Sequence, residues 1–277
     1  MTVDSVLLST WNLPLFLLIL FRLGGLLLSA PIFGGSHLPI PFKVGIALTL
    51  ALSLYPLLRT SALPGHLSPH VSSGQGIEPF SLFLSIVGEV TVGVVIGLAA
   101  RFLFVGVSLA GELSGIQMGL GIANVVDPQF PQHASVVAQF MEIITVLTFL
   151  MLQGHHALLE AIWASFESIP PGTFSGAAAA GAASVLVSLF GKSLVLAVKL
   201  SSPIMVAVLL TNVAIGLLAR VVPQLNFFAF GLSFTLVVGL MALLVSLPLL
   251  THLIEVSTGQ VRLELFTLLR SLSHAVR

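Results

Sequence analysis

Cysteine is absent from this chain of 277 residues, and charged side chains are scarce. The lack of cysteine excludes disulfide bonds, thiolate metal sites and cysteine nucleophiles. Only 7% of the residues are charged and 57% are hydrophobic, whereas about a quarter of an ordinary soluble domain is charged. With a mean hydropathy of +1.13, this composition predicts an integral membrane protein.

Motifs for nucleotide or nucleic-acid chemistry are also missing. The sequence contains no Walker loop, no GxGxxG after a strand and no basic aromatic patch. Ser233 and His252 could form part of a serine protease site, but nothing in the sequence activates the Ser233 hydroxyl. We therefore predict no catalytic residue, no cofactor and no binding of nucleic acid.

A metal site is the remaining chemical possibility, at His155, His156 and Glu160. His156 and Glu160 are spaced to share one helix face, as metal ligands often do. No third ligand stands at metal spacing, the HExxH motif is absent, and Gly154 indicates a helix break. We favour a capping or interfacial role for these residues and predict no metal.

Long apolar segments dominate the rest of the sequence, and most approach the roughly 20 residues that span a bilayer as helix. We predict an all-α membrane protein with about six long, partly kinked apolar helices in a single domain, residues 1–277. A flexible loop is expected at 59–79, and an amphipathic basic tail at 255–277. Residues 80–113 contain no proline, which predicts a helix of about 50 Å that exceeds the bilayer core. The six segments are 13–33, 44–58, 79–110, 136–152, 183–210 and 228–250.

Seven charged side chains fall inside or at the rim of these segments, where each costs about 2.5 to 3.5 kcal/mol at mid-bilayer. They form either buried structural ion pairs or contacts with a hydrated conduit or a charged partner subunit. We expect Lys192 or Lys199 to pair with a carboxylate of this chain or of a partner. The seven are Glu89, Arg101, Glu112, Glu142, Lys192, Lys199 and Arg220.

A further polar stripe is expected if residues 136–163 form one helix. Five polar side chains would then lie near one face of that helix, because their spacing is close to whole helical turns. These are Gln139, Glu142, Gln153, His156 and Glu160.

Glycines in helical register predict close packing of helices. Gly93 and Gly97 form one GxxxG pattern, and Gly111, Gly115 and Gly119 form two overlapping ones. Small residues at this spacing let another backbone approach, which drives helix association in membranes. The alternative is that the glycines only weaken the helix.

Four stretches of the sequence resemble the FliR family, the flagellar biosynthesis proteins of the bacterial type III export gate. The resemblance covers almost the whole chain, with the stretches in the family's order and intervals. The last of them is more similar to the flagellar branch than to its virulence relative. The stretches are FRLGGLLLSAPIFGGSHLPIPFKVGIAL (21–48), GELSGIQMGLGIANVVDPQ (111–129), QGHHALLEAIWASFESIPPG (153–172) and TNVAIGLLARVVPQLNFF (211–228).

The resemblance implies a non-enzymatic subunit in the bacterial inner membrane, at the flagellar basal body. Such a subunit joins several copies of FliP and FliQ in a closed helical assembly, with FlhB and FlhA as further partners. Unfolded flagellar proteins leave the cytoplasm through its centre. Neighbouring subunits would then cover many apolar helices, and the membrane charges would pair across subunit boundaries.

The resemblance also implies that a glycine-rich re-entrant loop at 117–133 plugs the channel at rest. Glycines permit a sharp turn, Asp127 and Pro128 set another, and Ile122, Val125, Val126 and Phe130 would form the seal. Relatives often have aromatic residues where this chain has Ile122 and Val125. A plain connector between helices is the alternative. The plug residues are Gln117, Met118, Gly119, Gly121, Ile122, Asn124, Val125, Val126, Asp127, Pro128 and Phe130.

A self-sufficient secondary transporter of small molecules is the alternative function, because such proteins also carry charges at the midplane and broken helices. Behaviour after purification distinguishes the two. A gate subunit should be stable only with its partners, whereas a transporter should purify alone as a defined monomer or small oligomer.

Overall fold

The computed structural model describes residues 12–31, 33–34, 39–60, 79–121, 135–173, 176–221 and 227–276. Within these ranges the chain forms helices and no β-strand, which confirms the predicted all-α fold. In chain order the helices are α1 (Leu13–Ser29), α2 (Ile40–Thr60), α3 (Pro79–Gln117), α4 (Val136–Met151), α5 (Gly154–Ser168), α6 (Gly176–Val221) and α7 (Phe227–Val276).

Four helices of the described ranges are long and apolar enough to cross a membrane: α2, α3, α6 and α7. A fifth span results if α4 and α5 count as one broken crossing. The first predicted segment is the apolar helix α1, whose 17 residues extend about 25 Å, short of the roughly 30 Å hydrocarbon core. Of the six predicted segments, four are therefore spans, one is the shorter helix α1, and one is α4, which spans only if it is combined with α5.

Helix α3 is continuous over 39 residues, as the lack of proline in this region predicts. At 1.5 Å per residue it measures about 58 Å, which exceeds the thickness of a bilayer core. Of its most apolar stretch, 61% is buried within the chain, compared with 17% for α6. Most of the apolar stretch of α3 is thus covered within this chain, whereas most of the apolar stretch of α6 is not.

The single helix considered for 136–163 is wrong, because the chain breaks between α4 and α5. Gln153 has a φ of 54°, and a Cβ added at Gly154 would lie 2.5 Å from Phe149 Cζ. The Phe149 ring occupies the space that a side chain at position 154 would need. Gln153 adopts a left-handed conformation, which ends the helix before Gly154. The predicted polar stripe does not form on one helix.

The chain divides into two compact units. The first unit consists of Met1–Arg101, His155–Leu189 and Val261–Arg277, and the second of Phe102–Gly154 and Phe190–Gln260. In the first unit, α1 buries Leu15, Ile19 and Leu26 on one face. In the second unit, the rings of Phe104 and Phe149 pack edge to face, with their centroids 5.4 Å apart. The single domain expected from the sequence stays a prediction.

Helices α1 and α3 approach each other in the first unit at glycines. A Cβ added at Gly93 would lie 2.8 Å from the Leu26 amide nitrogen, and one added at Gly97 would lie 2.8 Å from the Leu26 carbonyl oxygen. On the facing side, a Cβ at Gly25 would lie 2.6 Å from the Val90 carbonyl oxygen. The contact is between two backbones, so a methyl group at any of these positions would force the helices apart.

We expect Gly25→Ala to destabilise the protein and Gly24→Ala to be neutral or slightly stabilising. Both changes improve helix propensity by roughly 0.5 to 1 kcal/mol, and Gly24 has no atom within 4 Å of an added Cβ. Overpacking against Val90 costs about 1 to 3 kcal/mol. Thermal unfolding in detergent measures the difference, and equal midpoints for the two variants would contradict the close contact.

Candidate functional site

An ion pair with no exposed side-chain surface connects α1 to α3 in the first unit. Arg22 Nε donates to Glu89 Oε2 at 2.5 Å. The other guanidinium nitrogens also have acceptors, because Nη1 donates to Ser165 Oγ at 3.3 Å and Nη2 to the Ile169 carbonyl oxygen at 3.1 Å. The guanidinium carbon lies 4.3 Å from the centre of the Phe166 ring. The cation is therefore held on several sides by α3, α5 and the residue that follows α5.

The second carboxylate oxygen of Glu89 is also satisfied. Glu89 Oε1 accepts a hydrogen bond of 2.9 Å from the backbone nitrogen of Gly172, which adopts a φ of 83° in the turn after α5. A buried ion pair is stable only when its remaining donors and acceptors have partners. This cluster meets that condition and ties the turn at 170–172 to α3.

Sequence reasoning identified Glu89 as a membrane charge but missed Arg22 as its partner. The available signal was Arg22 itself, a cation in the middle of the apolar run that forms α1. An arginine at such a position requires a buried acceptor. The sequence does not show that this acceptor is 67 residues away.

The other predicted membrane charges are not brought together in this way. Glu112 is half-buried, and the remaining five are exposed on this chain: Arg101, Glu142, Lys192, Lys199 and Arg220.

Of the residues considered for a metal, Glu160 accepts a 2.6 Å hydrogen bond from Arg262 Nη2, with both side chains more than half exposed. The ring centroids of His155 and His156 lie 4.3 Å apart. Among the described residues, no three His, Asp or Glu side chains are grouped as metal ligands.

The first part of the candidate plug leaves α3 through a tight turn. The backbone nitrogens of Gly119 and Leu120 donate to the carbonyl oxygens of Ile116 and Gly115, both at 3.0 Å, and Gly119 has a φ of 83°. This is a Schellman motif, in which glycine takes the left-handed position that follows the helix end. Gln117, Met118, Gly119 and Gly121 are described. The plug residues Ile122, Asn124, Val125, Val126, Asp127, Pro128 and Phe130 lie outside the described residues.

Met118 anchors this turn in the second unit. Its side chain is fully buried, and a Cβ added at Gly239 of α7 would lie 2.5 Å from Met118 Cγ. The flexible side chain therefore fills the space left by that glycine. The chain thus turns away from α3 at a fixed point.

Helix α4 returns against the last turns of α3, also in the second unit. A Cβ added at Gly111 would lie 2.9 Å from Ala138 Cβ, and one at Gly115 would lie 2.9 Å from Ser135 Cβ. Between these glycines, Glu112 Oε1 accepts a 3.0 Å hydrogen bond from the Ser135 backbone nitrogen. The turn at 118–121 and Ser135 therefore both lie beside the last turns of α3.

Comparison with known proteins gives consistent matches over most of the chain. The family described as "Bacterial export proteins, family 1" matches residues 13–261. The flagellar biosynthetic protein FliR of Bacillus subtilis (strain 168) is 30% identical over 238 residues, which cover 86% of this chain and 87% of that protein. The protein of the same name from Escherichia coli (strain K12) is 30% identical over 243 residues, covering 85% of each chain. That of Aquifex aeolicus (strain VF5) is 28% identical over 236 residues, which cover 85% of this chain and 86% of that protein.

We expect Arg22→Met alone to be far more damaging than Arg22→Met combined with Glu89→Gln. The single change strands a buried carboxylate, at a cost of about 3 to 5 kcal/mol. The double variant contains neither charge, and the glutamine amide oxygen still accepts the Gly172 N–H. Protein amount in membranes and thermal unfolding in detergent measure the effect. Losses that simply add in the double variant would contradict the coupling of the two charges.

Proposed function

The chain belongs to family 1 of the bacterial export proteins, and on that basis we propose that it is the FliR-type subunit of a protein export gate in the bacterial inner membrane. The family assignment confirms the resemblance found in the sequence. The protein is a non-enzymatic membrane component of the flagellar export apparatus, as the names of its relatives indicate. The small-molecule transporter considered as an alternative loses its basis, because the matched family is one of export proteins.

The observation that carries the proposal is the uncovered surface of α6. Val195 and Val198 are 54% and 58% exposed, and Lys199 is exposed beside them. Lipid can cover the valines, but an ammonium at mid-bilayer costs about 2.5 to 3.5 kcal/mol. A neighbouring protein helix that carries a carboxylate satisfies both the apolar surface and the charge.

The partners that we propose for this surface are the membrane subunits FliP and FliQ, with FlhA and FlhB also in contact with the gate. In such an assembly Arg101, Glu142 and Lys199, which are exposed on this chain, pair across subunit boundaries. Unfolded flagellar proteins pass through the centre of the assembly. The proposal needs no cofactor or metal.

The loop 117–133 is the plug of this gate in our proposal. Its described beginning supports the assignment, because a Schellman turn and the buried Met118 fix where the chain leaves α3. The composition of the remainder supplies apolar side chains between turn residues. A narrow apolar closure excludes water and so blocks ions.

Removal of the seal should make the assembled gate leak. We expect deletion of residues 121–126, or serine at Ile122, Val125 and Val126, to leave assembly intact and to raise ion conductance, since polar side chains hydrate the closure. Serine at Leu63, Leu67 and Val71, in the predicted loop 59–79, is the matched control. Conductance is measured in cells with the whole gate, after co-purification has established assembly. A properly assembled plug variant with unchanged conductance would defeat the plug and favour a plain connector.

Charge reversal on α6 tests the proposed subunit contact. We expect Lys199→Glu to reduce co-purification of FliP and FliQ by roughly tenfold or more, because a like charge would face the partner's carboxylate. Lys199→Arg keeps the cation and should preserve assembly. Full recovery of the partners with Lys199→Glu would show that Lys199 lies outside the interface.

A further inference from the structure

We propose that Glu112 is a positioning residue that caps the start of α4 from α3 and so sets the distance from the turn at 118–121 to Ser135. The inference rests on the proposed function, in which the loop 117–133 is the plug. The proposed role is to position the helices beside the plug and not to form the apolar seal. It derives from contacts between α3 and α4 in the second unit. Glu112 was expected from the sequence to be a buried charge or a subunit contact. The geometry assigns it a role inside this chain.

The first observation is that α4 begins without a cap of its own. Ser135 occupies the N-cap position but its side chain makes no capping hydrogen bond. Its Oγ is buried and has no hydrogen-bond partner in the described part of the chain. Glu112 Oε1 instead accepts the Ser135 N–H at 3.0 Å. A carboxylate at this position satisfies one of the unpaired N–H groups of the first turn and interacts favourably with the positive end of the helix dipole.

The second observation explains why the cap comes from another helix. In a capping box, a Glu at the third helical position reaches back to the N-cap N–H. That position in α4 is Ala138, and its Cβ would lie 2.9 Å from a Cβ at Gly111. A glutamate cannot occupy this position because α3 is in contact with it. Glu112, the next residue after Gly111, provides the carboxylate from the facing helix.

The third observation is that α3 has a glycine on each side of Glu112. Gly111 and Gly115 bring the α3 backbone against Ala138 and Ser135, and Glu112 lies between them in sequence. Small residues permit a close approach but do not select one register. A charge-assisted hydrogen bond to one backbone N–H is directional. Glu112 therefore selects the register at which α4 starts, and this register determines the distance from the turn at 118–121 to Ser135.

Amide hydrogen exchange tests the cap directly. In the purified gate, Glu112→Ala should accelerate exchange in the first turn of α4 by roughly tenfold or more, because the Ser135 N–H loses its charged acceptor. Glu112→Gln retains an acceptor oxygen and should show a smaller acceleration. Glu255→Ala removes an exposed glutamate of α7 in the same unit and should change nothing. Unchanged exchange in Glu112→Ala would overturn the cap.

Conductance then tests the consequence for the plug. We expect assembled gates with Glu112→Ala to conduct ions above the wild-type level and those with Glu112→Gln to remain nearly tight. A purely electrostatic subunit contact would predict equal defects in both variants, together with loss of partners, and would contradict positioning. If deletion of 121–126 leaks and Glu112→Ala does not, positioning is refuted while the plug stands. If the deletion does not leak, the proposed plug falls and positioning falls with it.

Discussion

The ion pair between Arg22 and Glu89 is the interaction on which the first unit depends. A cation and a carboxylate without any exposed surface can coexist in an apolar protein only if they meet and if their other polar atoms are satisfied. Meeting requires that α1 and α3 approach at backbone distance, which Gly25 and Gly93 permit. The glycines make the contact possible, and the ion pair selects one arrangement among those that glycines allow. The same carboxylate accepts a hydrogen bond from the Gly172 N–H. The arrangement of α1 against α3 therefore also fixes the position of the turn after α5.

Helix α3 uses the same device twice. Glu89 accepts a backbone N–H from the turn after α5, and Glu112 accepts one from the start of α4. In a bilayer no water replaces a missing acceptor, so backbone groups outside regular helices need protein partners. A long helix with two such carboxylates can hold irregular segments at defined places. In the proposed gate, carboxylates of this kind would supply acceptors for backbone groups beside the plug.

Features that depend on local sequence were predictable, whereas pairings between distant elements were not. Apolar composition and the absence of proline determined the all-α class and the length of α3. The helix break was predictable from Gly154, but the left-handed conformation of Gln153 was not, because it depends on how Phe149 packs on Gly154. The partner of Glu112 is a backbone N–H, a group that every residue except proline has, so the sequence contains no signal for it. The hydrogen bond between Glu112 and the start of α4 is therefore visible only in the fold. The composition of the loop 117–133 is visible in the sequence.

In the proposed gate, this chain is one subunit, partner subunits cover its apolar helices, and its glycine-rich loop lies in the channel. An electron cryo-microscopy map of the gate, purified with all its membrane subunits, tests this arrangement. We expect density for 117–133 on the channel axis and a partner helix, with a carboxylate near Lys199, along the exposed face of α6. A map in which the loop lies on the outer surface of the assembly, or in which α6 faces only lipid or detergent, would contradict it.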